Sequence, residues 1–328
     1  MNAPRRRKLL AATTGFGLAA ALPWPVLAQP VWPARSIRLI NPAPAGGPGD
    51  TVARPLAARM TETLGQPVLI ENRGGANGTI GATAVARAAA DGYTVFLSGI
   101  GPIAIAPNFQ GNLPYDAVRD FVPITQLVST PLLLVARPDV PAASVTELLA
   151  LAREKPGQIT YGSVGQASVT HLAAAMMALA GGVSLLHVPY QGAAPVVTDL
   201  LGGRIHIAFI NPAAALPMME AGRLKALAVS TERRWGRQPG LPTVAETLPG
   251  FEVNSWYGLM APAGTPREIV DRLYRESAAA LRVPEIAAQM TAAGFEIEGS
   301  TPEQYAAKIR DELARWAKLA RATGIRAG

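Results

Sequence analysis

The chain has 328 residues, of which 49% are hydrophobic and 16% charged, and it has no cysteine. A chain this apolar, with so little charge, is neither a disordered tail nor a nucleic-acid-binding arm. The lack of cysteine excludes disulfide scaffolds, thiolate zinc sites and cysteine nucleophiles. At roughly 100–200 residues per domain, the length indicates two lobes.

The formal net charge of +7 is concentrated at the N-terminus. Four basic residues at positions 5–8 precede an apolar run over 9–22, and Ala28 closes a V-L-A triplet that suits signal-peptide cleavage. We predict a secretory leader over residues 1–28, exported by either the Sec or the twin-arginine route. A membrane anchor is the weaker interpretation, because the run is shorter than about 20 residues and ends in prolines.

Removing the leader takes away four basic residues and no acidic ones, which leaves a net charge of +3. Such a surplus over two lobes is typical of a solvated surface, and no Lys/Arg stripe alternates with aromatic residues. The sequence therefore predicts no nucleic-acid partner. No later segment reaches the length of a membrane span without charge or proline.

Short β-rich runs alternate with helical patterns from residue 36 onward. Asp50 is the predicted N-cap of the first helix, which Pro55 is expected to delay or bend. The repeated order of strand, loop and helix predicts a mostly parallel sheet with helices on both faces. The predicted strands are 37–40, 68–70 and 93–97, and a small-residue helix is predicted over 78–89.

A second set of alternating units follows the first. Its predicted strands are 132–136, 159–162, 185–188, 206–210 and 224–229. Its predicted helices are 145–152, 168–180, 193–201 and 213–221.

The last part of the chain holds a strand at 255–260 and helices. The final helix has one apolar stripe, formed by Tyr305, Ile309, Leu313, Trp316 and Ala320. Because that stripe must be buried, we expect the chain to return to the first sheet. The predicted first lobe is discontinuous, over 29–128 plus 253–328, and the second lobe covers 129–252, with a cleft between them.

No catalytic or metal-binding constellation is present in the sequence. Neither Ser98 nor Ser163 has the two flanking glycines of a nucleophile elbow. The three histidines lack metal-ligand spacing; His187 and His206 favour a structural role, whereas His171, beside polar loop residues, suits a binding role equally well. The segment 99–104 fits a dinucleotide motif loosely, but it closes a third strand and contains a proline. We predict no enzyme activity, no metal and no cofactor.

Three glycine-rich loops are the informative feature of the sequence. They cover residues 42–50, 74–79 and 162–168, and each joins a predicted strand to a helix start. Bare backbone N–H groups at the positive end of a helix suit a carboxylate or phosphate. A role in turns alone would explain one such loop, but three loops that converge on a cleft favour anion binding.

Eight segments in register, spread over nearly the whole mature chain, resemble the substrate-binding proteins of tripartite tricarboxylate transporters, the Bug family. They are PAGGPGD (44–50), ENRGGANGTIG (71–81), DGYT (91–94), LPYD (113–116), HVPYQG (187–192), DLLGG (199–203), PTVAE (242–246) and SWYG (255–258).

The resemblance implies a two-lobed, type II-like periplasmic binding protein that closes on a small carboxylate and delivers it to the transporter's membrane permease. In the family, amides of the two first-lobe loops and hydroxyls of the second-lobe loop hold the carboxylate, often through water. We expect a periplasmic monomer whose ligand-binding residues are Ala45, Gly46, Gly47, Asp50, Gly75, Ala76, Asn77, Gly78, Thr79, Ser98, Ser163, Gly165, Ser168, His171, Tyr190 and Asn211.

Three positions depart from the family pattern at this site. Asn77 replaces one glycine of the usual pair, and Val164 replaces a proline. Asn211 stands where the family often has an aspartate, which could pair with a ligand ammonium group. The neutral Asn211 therefore predicts a carboxylate ligand without an obligatory amino group.

Two other functions share these features. A liganded protein of the same fold could dock on a sensor kinase, so only the partner would distinguish signalling from transport. An exported enzyme is disfavoured because the sequence has no triad, metal cluster or cysteine.

Overall fold

The computed structural model describes residues 32–326, so the predicted leader lies outside the described residues. The strands are β1 (Ile37–Asn41), β2 (Val68–Asn72), β3 (Thr94–Gly99), β4 (Phe121–Pro131), β5 (Leu133–Ala136), β6 (Thr160–Ser163), β7 (Leu186–Pro189), β8 (Ile207–Ile210), β9 (Lys225–Val229), β10 (Asn254–Pro262) and β11 (Glu296–Ile297).

The α-helices are α1 (Pro48–Leu64), α2 (Thr79–Ala86), α3 (Ala106–Phe109), α4 (Val145–Glu154), α5 (Val169–Gly181), α6 (Ala193–Leu201), α7 (Pro212–Glu220), α8 (Arg267–Leu281), α9 (Pro284–Ala292) and α10 (Pro302–Thr323). No helix between residues 32 and 326 combines the length and the apolar character needed to cross a bilayer.

The strands form two sheets, which confirms the predicted two-lobed α/β fold. The first has the order β11-β4-β10-β3-β1-β2 and the second β7-β6-β8-β5-β9. Both sheets are mixed rather than mostly parallel. Strands β1, β2 and β3 are parallel, and so are β6, β7 and β8, whereas β10, β4, β11, β5 and β9 pair antiparallel.

The antiparallel pairing comes from two strands that link the lobes. Strand β4 has 11 residues and leads into β5 with only Leu132 between them. Strand β10 pairs with β4 along its whole length, from Asn254 opposite Pro131 to Pro262 opposite Phe121. Strand β4 was not predicted, because its polar residues hide the pattern of a buried strand. The residue boundaries of the two lobes stay predictions.

Helix α10 packs against the first sheet through its apolar stripe. Tyr305, Ile309, Trp316 and Ala320 are buried, while Leu313 is half-buried. The ring of Tyr305 lies edge-on to Trp256 of β10, with ring centroids 5.6 Å apart. The return of the last helix to the first sheet thus buries the stripe as expected.

Helix α1 differs from the prediction at both of its unusual residues. It begins at Pro48 after the N-cap Gly47, so Asp50 lies in the first turn and does not cap the helix. The helix also continues through Pro55 to Leu64. A proline here removes one intrahelical hydrogen bond, and the buried face formed by Val52, Ala53, Leu56, Ala57 and Met60 outweighs that loss.

Gly258 of β10 tests the contact between α10 and the first sheet. A Cβ at this position would lie 2.5 Å from Tyr305 Cζ and 2.7 Å from the Thr125 carbonyl oxygen. We expect Gly258→Ala to lower the free energy of unfolding by about 1–3 kcal/mol, as overpacking typically does.

The measurement is the urea midpoint, and the matched control is Gly111→Ala. Gly111 has open space around its Cβ position, so its variant should stay within about 0.5 kcal/mol of wild type. Equal midpoints for the two variants would contradict this packing argument.

Candidate functional site

The three predicted anion loops follow parallel strands, where open α/β sheets place their ligands. They are the β1–α1 loop (residues 42–47), the β2–α2 loop (73–78) and the β6–α5 loop (164–168). The first two lie side by side, because Asn41 at the end of β1 pairs with Asn72 at the end of β2. The third belongs to the second lobe.

Asp50 holds the first two loops together. Its Oδ2 accepts hydrogen bonds from the Gly46 N–H at 2.8 Å and from Arg54 at 2.7 Å and 3.2 Å. Its Oδ1 accepts from the side-chain amides of Asn41 at 3.0 Å and Asn72 at 2.9 Å. Five donors occupy the carboxylate, so it fixes the loops for a ligand and is not itself free to bind one.

These contacts control the charge of Asp50. Burial alone would raise its pKa, but the hydrogen bonds from Asn72, Gly46, Arg54 and Asn41 outweigh burial and lower the pKa to about 2. The carboxylate therefore stays ionised at any physiological pH, with its negative charge fully compensated by donors.

The β2–α2 loop has four consecutive residues in the left-handed region. The φ angles are 115° at Gly75, 47° at Ala76, 55° at Asn77 and 89° at Gly78. This conformation costs a non-glycine residue about 1–2 kcal/mol. Backbone strain of this kind gathers at binding sites, and among residues 32–326 no backbone carbonyl outside the helices and strands accepts from the Ala76 or Asn77 N–H. Thr79 is buried and donates its hydroxyl to the Ala76 carbonyl oxygen.

A direct hydrogen bond joins the two lobes at these loops. The side-chain amide of Asn77 donates to the backbone carbonyl oxygen of Gln166 at 2.9 Å. Asn77 was predicted as a ligand contact, and the structure gives it this second partner across the cleft. Gln166 was not predicted, and no sequence signal marks it because it contributes only its backbone carbonyl here.

Ser163, Gly165, Ser168 and His171 come together around the β6–α5 loop. The Ser163 hydroxyl donates to the Gly165 carbonyl oxygen at 3.0 Å. The Ser168 hydroxyl caps α5 by accepting from the His171 N–H at 3.3 Å. All four belong to one hydrogen-bonded cluster, and Ser163, Ser168 and His171 are buried in this conformation.

His187 is a member of this cluster that the sequence analysis assigned to a structural role. Its Nε2 lies 2.7 Å from the Ser163 hydroxyl, and its ring stacks on that of His171. The two histidines are on β7 and α5, so only the folded chain brings them together.

Two other predicted residues, Ser98 and Tyr190, have different surroundings. Ser98 is fully buried, and its hydroxyl donates to the Gly258 carbonyl oxygen at 2.9 Å. The Tyr305 hydroxyl lies 2.7 Å from the Ser98 hydroxyl. Ser98 therefore belongs to the core beneath α10 and not to the site. Tyr190 donates its hydroxyl to Asp199 of α6 at 2.8 Å. Burial and that bond raise the pKa of Tyr190 to about 12.

Asn211 begins α7 as its N-cap, half-buried at the end of β8. Its backbone carbonyl accepts from Ala214 and Ala215. Within residues 32–326, its side-chain amide makes no hydrogen bond, so both its donor and its acceptor remain available to a ligand. Ala45, Gly46 and Gly47 lie on the β1–α1 loop, where Ala45 and Gly46 are exposed.

Known proteins are similar to this chain over most of its length. The family profile described as tripartite tricarboxylate transporter family receptor matches residues 52–325. The chain is similar to the protein BugT of Bordetella pertussis, with 36% identity covering 97% of this chain and 98% of BugT.

Two solved structures are also similar to the chain. R. palustris Rpa4515 with adipate has a TM-score of 0.83 and 37% identity, covering 90% of this chain and 100% of that one. MatC from Rhodopseudomonas palustris with bound malate has a TM-score of 0.79 and 32% identity, and the match covers 88% of this chain and 99% of MatC.

The depressed pKa of Asp50 predicts acid-dependent stability. Because the folded pKa lies near 2 and the unfolded one near 3.8, Asp50 stabilises the fold above about pH 4 and loses that contribution as the pH falls toward 2. We expect Asp50→Asn to cost about 2 kcal/mol at pH 7 and to flatten the pH dependence of stability between pH 4 and pH 2.

Chemical denaturation at a series of pH values measures both effects. Asp271→Asn is the control, because Asp271 forms an exposed ion pair with Arg267 and should cost less than about 1 kcal/mol. Parallel stability curves for wild type and Asp50→Asn would contradict the anchoring role of Asp50.

Proposed function

This chain belongs to the tripartite tricarboxylate transporter receptor family, and we propose that it captures a small carboxylate between its lobes and delivers it to a membrane permease of that transporter class. The observation that carries the proposal is the junction of the β2–α2 and β6–α5 loops, where a strained left-handed turn meets the other lobe through Asn77. The two relatives with adipate and with malate support a carboxylate as the ligand class.

The proposed site selects an anion with uncharged groups. Turn amides at Ala76 and Asn77 and the hydroxyl of Ser168 are the proposed donors. Such donors fix the geometry of a carboxylate with little charge to desolvate, since the protein contributes dipoles and not ions. The predicted leader supports a periplasmic location for the mature protein, where a permease would receive the ligand. No chemical step is required of the receptor itself.

Asn211 gives the site a further preference. Its free amide can donate to a carboxylate or accept from a hydroxyl, but it has no charge to hold an ammonium group. The proposed ligand is therefore a carboxylate that needs no amino group, as are adipate and malate.

A thermal-shift series over carboxylates tests the proposal. A ligand at about a hundred times its dissociation constant stabilises a protein by roughly 2.7 kcal/mol, which for a chain of this size means a rise of a few degrees in Tm. We expect such a rise with adipate or with malate at pH 7.5, and calorimetry then gives the dissociation constant.

The same series includes succinate with aspartate and glutarate with glutamate, which differ only by the amino group. The amine-free member of each pair should bind as well as or better than the amino acid. Tight binding of the amino acids alone would contradict the role of Asn211, and a flat series would contradict carboxylate binding.

Asn77 provides the test of the bond between the lobes. We expect Asn77→Gly to weaken carboxylate binding about threefold to tenfold, because the closed state loses one hydrogen bond while glycine tolerates the left-handed turn. Asn112→Gly is the matched control, since exposed Asn112 also has a left-handed φ of 54°. Equal dissociation constants for both variants would show that the Asn77 bond contributes nothing to capture.

A further inference from the structure

Two imidazole rings lie face to face behind the β6–α5 loop. The rings of His171 and His187 have centroids 3.8 Å apart and planes that differ by 2°. Tyr161 of β6 stacks on His187 with centroids 4.9 Å apart. His171 is only 4% exposed. Two cations at this separation would repel each other, so the stack requires that at least one ring is neutral.

The two rings hold opposite ends of the same loop. At one end, His187 Nε2 lies 2.7 Å from the Ser163 hydroxyl. At the other end, the Ala167 N–H donates to His171 Nδ1 at 2.9 Å. A nitrogen that accepts a hydrogen bond carries no proton, so this contact fixes His171 as the neutral ring with its proton on Nε2.

The bond to His171 is connected to the other lobe through the backbone. Ala167 has a left-handed φ of 52°, which an alanine adopts only when its surroundings hold it there. The residue before it is Gln166, whose carbonyl oxygen accepts from Asn77. The acceptor on His171 therefore fixes the peptide that the first lobe binds.

We propose that His171 is a positioning residue for ligand capture: its unprotonated Nδ1 holds the β6–α5 loop in the ligand-binding conformation, and a proton taken up there releases the loop and weakens capture. The inference rests on the proposed function for the identity of the ligand. The effect on the loop itself is a property of the ligand-free chain.

The surroundings of the stack set the direction of the pH dependence. The groups that face it are Tyr161 and the hydroxyls of Ser163, Ser168 and Thr170, and the described residues include no ion pair with either ring. Burial, with a smaller contribution from His187, lowers the pKa of His171 to about 4. Release of the loop returns the ring toward its ordinary pKa of about 6.5, so acid favours the released loop from about pH 6.5 downward.

The test compares wild type with His171→Asn and His171→Ala. The carbonyl of an asparagine can accept from Ala167 in place of Nδ1 but does not titrate, whereas alanine removes the acceptor. At pH 7.5, adipate should bind His171→Asn within about threefold of wild type and His171→Ala about tenfold more weakly.

The dissociation constants are then measured between pH 7.5 and pH 5. The carboxyl groups of adipate titrate in the same way in all samples. The dissociation constant of wild type divided by that of His171→Asn therefore reports only the protonation of the His171 ring. We expect that ratio to rise by about threefold to tenfold over this range, since one proton can change an affinity by at most tenfold per pH unit. A constant ratio, or wild-type affinity in His171→Ala, would overturn the proposal.

A ligand-free measurement separates this proposal from the proposed function. In NMR spectra of the wild-type protein, the Ala167 amide resonance should shift with the same midpoint as the His171 ring. If the Ala167 amide resonance does not shift as the His171 ring titrates, the inference is overturned, whether or not adipate binds. If the Ala167 amide and the His171 ring titrate together but adipate binds to no variant, the result supports the role of His171 in the loop and counts against adipate as the captured ligand.

Discussion

The antiparallel pairing of β4 with β10 is the contact on which both lobes depend. Each strand carries the chain between the sheets, and their ladder extends over nine residue pairs. Where the strands leave the first sheet, the buried hydroxyl of Ser230 accepts from the Leu132 N–H and donates to the Val253 carbonyl oxygen. The two connections are thus tied to each other, and any closure of the lobes bends a pair of strands together.

The loops that face the cleft are built so that strain in one place is balanced by hydrogen bonds nearby. Ala76, Asn77 and Ala167 all have left-handed φ angles that cost free energy. Asp50 supports the first lobe's loops by accepting five hydrogen bonds, and His171 supports Ala167 in the second lobe by accepting one. The side chains of Asp50 and His171 would be costly to bury without hydrogen-bond partners. The loops that they order supply those partners.

The sequence predicts the parts of this structure that have local causes. Alternating apolar runs predict the strands, the four-residue spacing in α10 predicts its buried face, and the glycines mark loops where Gly46, Gly75 and Gly165 have positive φ angles. It could not predict β4, whose buried Thr125, Ser129 and Thr130 find their hydrogen-bond partners in the segment 294–300. Polar side chains conceal a strand when the groups that satisfy them lie more than 160 residues away.

The site residues divide in the same way. Glycine-rich loops were recognisable because a left-handed turn restricts the residue type locally. Ser98 was misplaced because only the fold shows that Tyr305 and the Gly258 carbonyl oxygen surround its hydroxyl. The stack of His171 on His187 joins a helix to an edge strand, and no spacing along the chain encodes that contact.

An aspartate in the first turn of α1, directly after the β1–α1 loop, presents an electrostatic problem for a protein that is proposed to bind an anion. An uncompensated carboxylate near the cleft would repel a carboxylate ligand, and more strongly as the lobes exclude water. Asp50 avoids this because Arg54 and three amide groups neutralise and orient its charge. The aspartate can then stiffen the loops without opposing the ligand. The proposed selectivity for anions then rests on the uncharged donors of the β2–α2 loop.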